Sequence, residues 1–99
     1  MASRSTDLKN VVEGLHNCKA VFKSRERVEE WYEDTLAWQG SVLIFSITGH
    51  PLATECYAWE ATLSGEDKSR IYAVLKVDPI KSPGDAVRAA IVSDFKRHT

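Results

Sequence analysis

The stretch ECYAWEATLSGEDKSRIYAVLKV, residues 55–77, decides the fold of this 99-residue chain. Residues 54–63 and 69–77 are rich in aromatic and β-branched side chains, and their pattern has the period of two residues that is typical of strands. Ser64-Gly65-Glu66-Asp67 lies between these two runs and is typical of a tight turn. Because a turn this short joins antiparallel neighbours, the stretch predicts a β-hairpin.

The register of this hairpin follows from its side chains. Placing Trp59 opposite Tyr72 groups the aromatic residues and brings Glu55 opposite Lys76, which carries the opposite charge. The predicted pairs are Glu55–Lys76, Cys56–Leu75, Tyr57–Val74, Ala58–Ala73 and Trp59–Tyr72.

The same reasoning extends outward in both directions. Residues 41–48 predict a further strand, which Gly49-His50-Pro51 ends, so the three strands form a meander. Asp78-Pro79 stops the last strand, because proline has no N–H to donate to a sheet. A helix then begins with Ser82 as its N-cap, Pro83 in its first turn and Asp85 completing a capping arrangement.

The first 40 residues predict helices. Leu8, Val11, Val12 and Leu15 fall on one helical stripe, and a second helical pattern over residues 24–40 places Val28, Trp31 and Leu36 on one side. Residues 17–23 are compatible with either a continued helix or a short edge strand. The expected fold is a single α+β domain, residues 1–99, with the order α-α-β-β-β-α.

Both faces of the predicted sheet are apolar. Carried through to residues 41–48, the register predicts an aromatic face: Leu43, Phe45, Ile47, Tyr57, Trp59, Tyr72 and Val74. It also predicts a small-residue face: Val42, Ile44, Cys56, Ala58, Ile71, Ala73, Leu75 and Val77. A sheet with one face in water would alternate apolar and polar residues, so both faces require cover.

We expect the last helix to cover the small-residue face. The aromatic face is then covered by the Trp31/Tyr32 helix, by a second copy of the protein or by a ligand. Tyrosine and tryptophan are common in interfaces. The residues predicted for a self-association interface are Phe45, Tyr57, Trp59, Tyr72 and Val74.

Composition excludes several classes. The apolar share of 43% and the charged share of 27% are those of an ordinary globular protein, and the longest apolar run, Val42-Leu43-Ile44-Phe45, is too short to span a membrane. Asp7 and Lys9 interrupt any signal-peptide-like stretch, so we expect a cytoplasmic protein. Cys18 and Cys56 have no paired spacing and are expected to be buried apolar side chains.

No catalytic motif or cofactor-binding motif occurs in the sequence, and we expect no metal site. His50, in the turn between strands, and Glu60, on the small-residue face, are candidates for a small-molecule site. Glu60 requires a cationic partner such as Arg88 if it is buried. The alternative for His50 is a structural role in its turn, and its pairing with Cys56 as a nucleophile lacks a third, orienting group.

A basic stretch raises the question of nucleic-acid binding. Lys19, Lys23, Arg25 and Arg27 surround Phe22, a combination that binds single strands when it forms one patch. The net charge of −1 and the acidic residues just downstream oppose phosphate binding. Nucleic acid is therefore an unfavoured partner.

Parts of the second half resemble a family of short, uncharacterised bacterial proteins carried by mobile elements such as integron gene cassettes. The residues that carry the resemblance are Gly49-His50-Pro51, Glu55-Cys56-Tyr57-Ala58-Trp59, Tyr72-Ala73-Val74-Leu75, Pro79, Ser82-Pro83 and 86–91. The resemblance implies a bacterial, cytosolic protein that forms an oligomer, and it implies no catalytic residue.

The leading expectation is therefore a non-enzymatic interaction module that self-associates, most simply as a dimer, through the aromatic face. The alternatives are a small-molecule-binding protein or minor enzyme with a site near His50, a regulator associated with nucleic acid, and a module for an unknown protein partner.

Overall fold

One four-stranded antiparallel sheet carries a helix on each of its faces. The computed structural model describes residues 4–62 and 69–97. The elements are α1 (Arg4–His16), β1 (Lys19–Tyr32), β2 (Thr35–Thr48), β3 (Glu55–Thr62), β4 (Ser69–Leu75) and α2 (Pro83–Arg97). The strands follow one another across the sheet in the order β1-β2-β3-β4. The predicted α+β class and the antiparallel meander are confirmed, whereas the described residues form four strands instead of the predicted three.

The predicted second helix is wrong, because residues 24–40 belong to the long β1–β2 hairpin. Burial alternates along β1, where Val28 and Glu30 are buried and the residues between and beside them are exposed. Glu33 and Asp34 form the connecting turn, and Glu33 takes a left-handed conformation with φ 55°. The helical spacing of Val28, Trp31 and Leu36 was a coincidence on strands with strong β-branched and aromatic content.

Gly40 lies within β2 and does not end a helix. The indole of Trp38 packs over it so closely that a Cβ at this position would lie 2.8 Å from the ring. Glycine is therefore required here because a side chain approaches the backbone.

The predicted register between β3 and β4 is confirmed. Trp59 pairs with Tyr72, Ala58 with Ala73, and the flanking pairs follow in the same register. Lys76 continues it beyond β4, since its N–H donates to the carbonyl of Glu55 over 3.0 Å. The predicted turn at residues 64–67 lies outside the described residues.

The predicted faces of the preceding strand are reversed. Leu43 pairs with Ala58 and Phe45 with Cys56, so both lie on the small-residue face, while Ile44 pairs with Tyr57 on the aromatic face. The cause is the connection at residues 49–54, which is longer than a tight turn. Since side chains alternate along a strand, a shift of one residue moves every side chain to the other face.

The last helix lies over the aromatic face instead of the small-residue face, and the first helix covers the small-residue face. On one side α1 inserts Leu8 and Val12 against Phe45, Cys56 and Ala58. On the other side α2 places Ala86 and Val87 against Tyr57 and Trp59, flanked by Val28 of β1 and Val42 of β2. Small residues on α2 leave room for the large aromatic rings, which explains why this helix lies over the aromatic face.

The capping prediction for α2 is confirmed. The Ser82 hydroxyl accepts a hydrogen bond from the N–H of Asp85 over 3.1 Å, and the Asp85 carboxylate accepts one from the N–H of Lys81 over 3.1 Å. Pro83 is the first residue of the helix. On α1 the stripe is confirmed at Leu8 and Val12, but Leu15 is 65% exposed.

Candidate functional site

The residues predicted for a self-association interface lie largely in the core. Phe45, Tyr57 and Trp59 are no more than 2% exposed, and Tyr72 and Val74 are half-buried beneath α2. Trp59 stacks on Tyr72 with ring centroids 5.3 Å apart and also contacts Trp38 at 6.2 Å. The aromatic face is therefore a second core layer within the chain, and the expectation that these five residues form an exposed contact surface is corrected.

His50 has a structural role in its turn. Its Nδ1 accepts hydrogen bonds from the N–H groups of Leu52 (3.0 Å) and Ala53 (3.2 Å). The neighbouring ring of His16 lies 6.3 Å away, and its Nε2 donates to the carbonyl of Ala73 over 2.9 Å. Since Nδ1 is used as an acceptor for the turn, it does not serve as a base for an added substrate.

Cys56 is unsuited to nucleophilic chemistry. Its side chain is fully buried, and burial raises the pKa of its thiol to about 12, with a smaller contribution from Cys18. Burial also raises the pKa of the Cys18 thiol. Both cysteines are free, and at neutral pH both hold their protons, whereas a nucleophile must be a thiolate.

Glu60 lies far from His50, so the structure does not bring the two candidate ligand residues together. His50 lies before the start of β3, and Glu60 lies near the far end of that strand. The distance along β3 from Glu55 to Glu60 is already roughly 17 Å at the rise per residue of a strand. Glu60 lines an open groove of about 480 Å³ between the start of α1 and β2, together with Arg25 and Gln39. The suggested partner Arg88 instead binds Glu30.

The basic stretch does not form one patch, because the strand divides it. Phe22 pairs with Phe45, Ser24 pairs with Ile44, and Lys23 is the extra residue of a β-bulge between them. Lys23 extends along the face that bears Glu55 and binds its carboxylate, whereas Arg25 pairs with Leu43 on the opposite face. Lys23 and Arg25 therefore lie on different sides of the sheet.

The Glu55 carboxylate at the start of β3 forms ion pairs with Lys23 of β1 and with Lys76, which follows β4. The hydrogen bond donated by Lys23 of β1 lowers the pKa of the Glu55 carboxyl, and this effect and the nearby charges of Lys23 and Lys76 outweigh burial. Lys76 Nζ lies 3.5 Å from the second carboxylate oxygen. This bridge spans the sheet from its β1 edge to the end of β4. The positive charge of Lys23 is balanced there by the Glu55 carboxylate.

In the described part of the chain the sheet has two edge strands, β1 and β4, and β1 is the longer of the two. β1 has β2 on one side, and no other strand of the described residues pairs with it. Glu13 of α1 accepts a hydrogen bond from the N–H of Ala20 over 2.8 Å, which occupies the first outward amide of the edge. The edge beyond Ala20 is not covered in this way and runs for the rest of a 14-residue strand.

Large apolar side chains lie along this edge. Val21 is 67% exposed, Phe22 46% and Trp31 57%. An edge strand with exposed apolar residues is a template for pairing with another chain. Sequence reasoning missed the site because it left residues 17–23 open between a helix and a short edge strand and assigned residues 24–40 to a helix. The signal that would have found it is the spacing of Arg25, Arg27 and Glu29 at every second residue, which is typical of one face of a strand.

Comparison with known proteins finds no match: no family model, no curated protein and no solved structure is significantly similar to this chain. In the described part of the chain, neither helix is long and apolar enough to cross a membrane. The described residues also contain no grouping of three or more His, Cys, Asp or Glu side chains suited to a metal ion.

Proposed function

We propose that this protein is a non-enzymatic interaction module that self-associates by adding the edge strand β1 to a second copy. The observation that carries the proposal is the length of the open edge, which runs beyond Ala20 to the end of the 14-residue strand β1, together with the exposure of Phe22 and Trp31 on it. Main-chain hydrogen bonds between two such edges supply affinity, and the side chains on either face supply specificity.

The charges of β1 support a second copy as the partner. Its basic residues, Lys19, Lys23, Arg25 and Arg27, all precede Val28 and outnumber the one acid there, Glu26, whereas Glu29 and Glu30 follow Val28. An antiparallel copy reverses this order and brings the basic half of one strand against the acidic half of the other. A foreign partner would need a matching pattern of its own, whereas a second copy already has one.

The proposal moves the contact away from the aromatic face. That face buries Tyr57 and Trp59 under α2, so a contact through it would require α2 to leave. Edge pairing leaves both core layers as they are. The free thiols of Cys18 and Cys56 are typical of a reducing compartment and support the cytosol as the location.

Static light scattering on the full chain at micromolar concentrations tests the proposal. The expected mass is twice 11.1 kDa, falling toward 11.1 kDa on dilution. A mass of 11.1 kDa at every concentration would overturn the proposal. Hydrogen exchange at the two ends of the dilution series locates the contact, since protection gained with concentration should be confined to amides of β1.

A second candidate function is binding of a small polar molecule in the groove beside α1. The groove, of about 480 Å³, has the size of ordinary ligand sites, and Arg25 and Glu60 bring opposite charges to its lining. A thermal-shift screen of zwitterionic amino acids tests it: a stabilising compound should lose its effect in Glu60→Gln. Glu29→Gln is the matched control, because Glu29 lies outside the groove and its change should leave that shift intact.

A further inference from the structure

The direction of the backbone groups decides which residues of β1 face a neighbour. The N–H of Ala20 is directed away from β2, since it binds Glu13 of α1. Ile47, which pairs with Ala20, directs its own N–H to Thr54 on the β3 side over 2.9 Å. Backbone groups alternate in direction along a strand in step with the side chains.

Every residue on the same face as Ala20 therefore presents its N–H and C=O outward. The alternation shifts by one residue at the Lys23 bulge, because Phe22 and Ser24 have consecutive partners on β2. The outward residues are Phe22, Arg25, Arg27, Glu29 and Trp31. In an antiparallel pair of edges, outward residues of one strand must lie opposite outward residues of the other.

This requirement leaves a few symmetric registers, which differ in the charges that they place opposite each other and in the length of strand that they pair. A two-fold axis at Glu26 places Arg25 opposite Arg27 of the partner subunit, which is repulsive. An axis at Arg27 places Arg25 opposite Glu29 of the partner subunit. An axis at Val28 pairs Arg27 with Glu29 of the partner subunit, but it shortens the overlap and leaves Phe22 beyond the described end of the partner's strand.

We infer that β1 pairs antiparallel with β1 of a second copy about a two-fold axis at Arg27, with Arg25 opposite Glu29 of the partner subunit and Phe22 opposite Trp31 of the partner subunit. The inference rests on the proposed function and specifies its partner and register. Each contact occurs twice by symmetry.

The exposed aromatic residues support this register. Phe22 is 46% exposed and Trp31 57% exposed, and both lie on the outward-facing set of β1. Phe22 lies five residues before Arg27 and Trp31 lies four residues after it. Because Lys23 is an extra, bulged residue, the two are nevertheless equally far from the axis in the pairing. Aromatic pairs across neighbouring strands are among the stabilising contacts of a sheet.

Arg27 meets its own symmetry mate at the axis, and its side chain turns away from that contact. Its Nη2 donates a hydrogen bond of 2.8 Å to Oε1 of Gln39 on β2 of the same chain. The remaining repulsion makes Arg27 a sensitive probe of the register. Arg27→Thr should tighten association, since it removes two like charges that face each other.

Charge reversal tests the inference by sedimentation equilibrium. Arg25→Glu and Glu29→Arg should each weaken the dimer by roughly tenfold, because each change creates two like-charge contacts, and the double variant should recover the wild-type affinity. A wild-type monomer would overturn the proposed function together with this register. A wild-type dimer whose double variant is no tighter than the single variants would overturn the register alone.

Cross-linking gives an independent readout in a Cys18→Ser background. An equimolar mixture of Phe22→Cys and Trp31→Cys chains should form a disulfide-linked dimer on oxidation, because opposed hydrogen-bonded residues have Cα atoms about 5.5 Å apart. Neither variant should cross-link efficiently by itself. Equal cross-linking in the mixture and in the separate samples would overturn the register.

Discussion

Arg88 of α2 donates a hydrogen bond from Nε to Oε1 of Glu30 on β1 over 2.7 Å, across 58 positions of sequence. The Glu30 side chain is 11% exposed and that of Arg88 is 65% exposed, so the arginine reaches in from solvent to a carboxylate at the margin of the core. This contact joins the helix over the aromatic face to the β1–β2 hairpin. It also raises the pKa of Arg88, mainly through the Glu30 hydrogen bond.

Arg88→Ala should lower the melting temperature, because it leaves the Glu30 carboxylate buried without its cation. Adding Glu30→Gln to that variant should restore part of the loss, since a neutral amide is less costly to bury than a charge. Differential scanning calorimetry of the wild type, both single variants and the double variant measures the coupling. Strictly additive changes would contradict the structural contact.

Trp59→Ala should destabilise the protein by about 3–5 kcal/mol, the range expected when a buried aromatic side chain is removed. Trp59 is 2% exposed and stacks on Tyr72. Trp31→Ala is the matched control: Trp31 is 57% exposed, so its loss should barely change stability but should weaken self-association. Urea denaturation and light scattering on both variants separate the two effects. The opposite ranking would show that the assignment of core and edge is wrong.

His50→Ala should destabilise the turn before β3 by about 1–2 kcal/mol, because the N–H groups of Leu52 and Ala53 lose their shared acceptor. His50→Asn should retain most of the stability, since an asparagine side chain accepts from backbone N–H groups two residues on. Chemical denaturation compares the two. An equal loss in both variants would mean that the acceptor at Nδ1 is not what His50 contributes.

Stability should fall in acid partly through Glu55. The hydrogen bond from Lys23 lowers the folded-state pKa of this carboxyl below its ordinary value of 4.5. Its contribution is therefore fully present above the unfolded-state pKa and is lost as the pH falls through the lowered folded-state pKa. Glu55→Gln should flatten this part of the acid limb in thermal melts recorded between neutral and acidic pH. An acid limb as steep as that of the wild type would exclude Glu55 as a source.

Local signals predicted the second half of the chain well. The alternation over residues 55–77 set the register that pairs Trp59 with Tyr72, and the Ser82-Pro83 signal placed the start of α2. Both depend on interactions between residues close in sequence, so one chain is enough to recognise them. The stripe of α1 was predicted for the same reason.

Local signals were not enough to predict the first half of the chain. Residues 24–40 carry both a helical spacing and a β-rich composition, and these local preferences differ by less than the packing energy that decides between them. The charged residues of this segment do not share one face: Arg25, Arg27 and Glu29 are exposed on β1, whereas Glu30 is buried on its other side. The edge at Phe22 and Trp31 was consequently missed as a candidate site.

The sequence by itself determined the α+β class, the β3–β4 register and the cap of α2, because each follows from short-range chemistry. Tertiary structure alone decided which face of β2 joins the aromatic residues. The length of the connection between β2 and β3 sets which side chains of β2 lie on which face of the sheet. It also decided which helix lies over each face, and small, fully buried Ala86 of α2 packs in the same cluster as Trp59. Those two long-range choices bury the aromatic face and leave the long outer edge of β1 exposed.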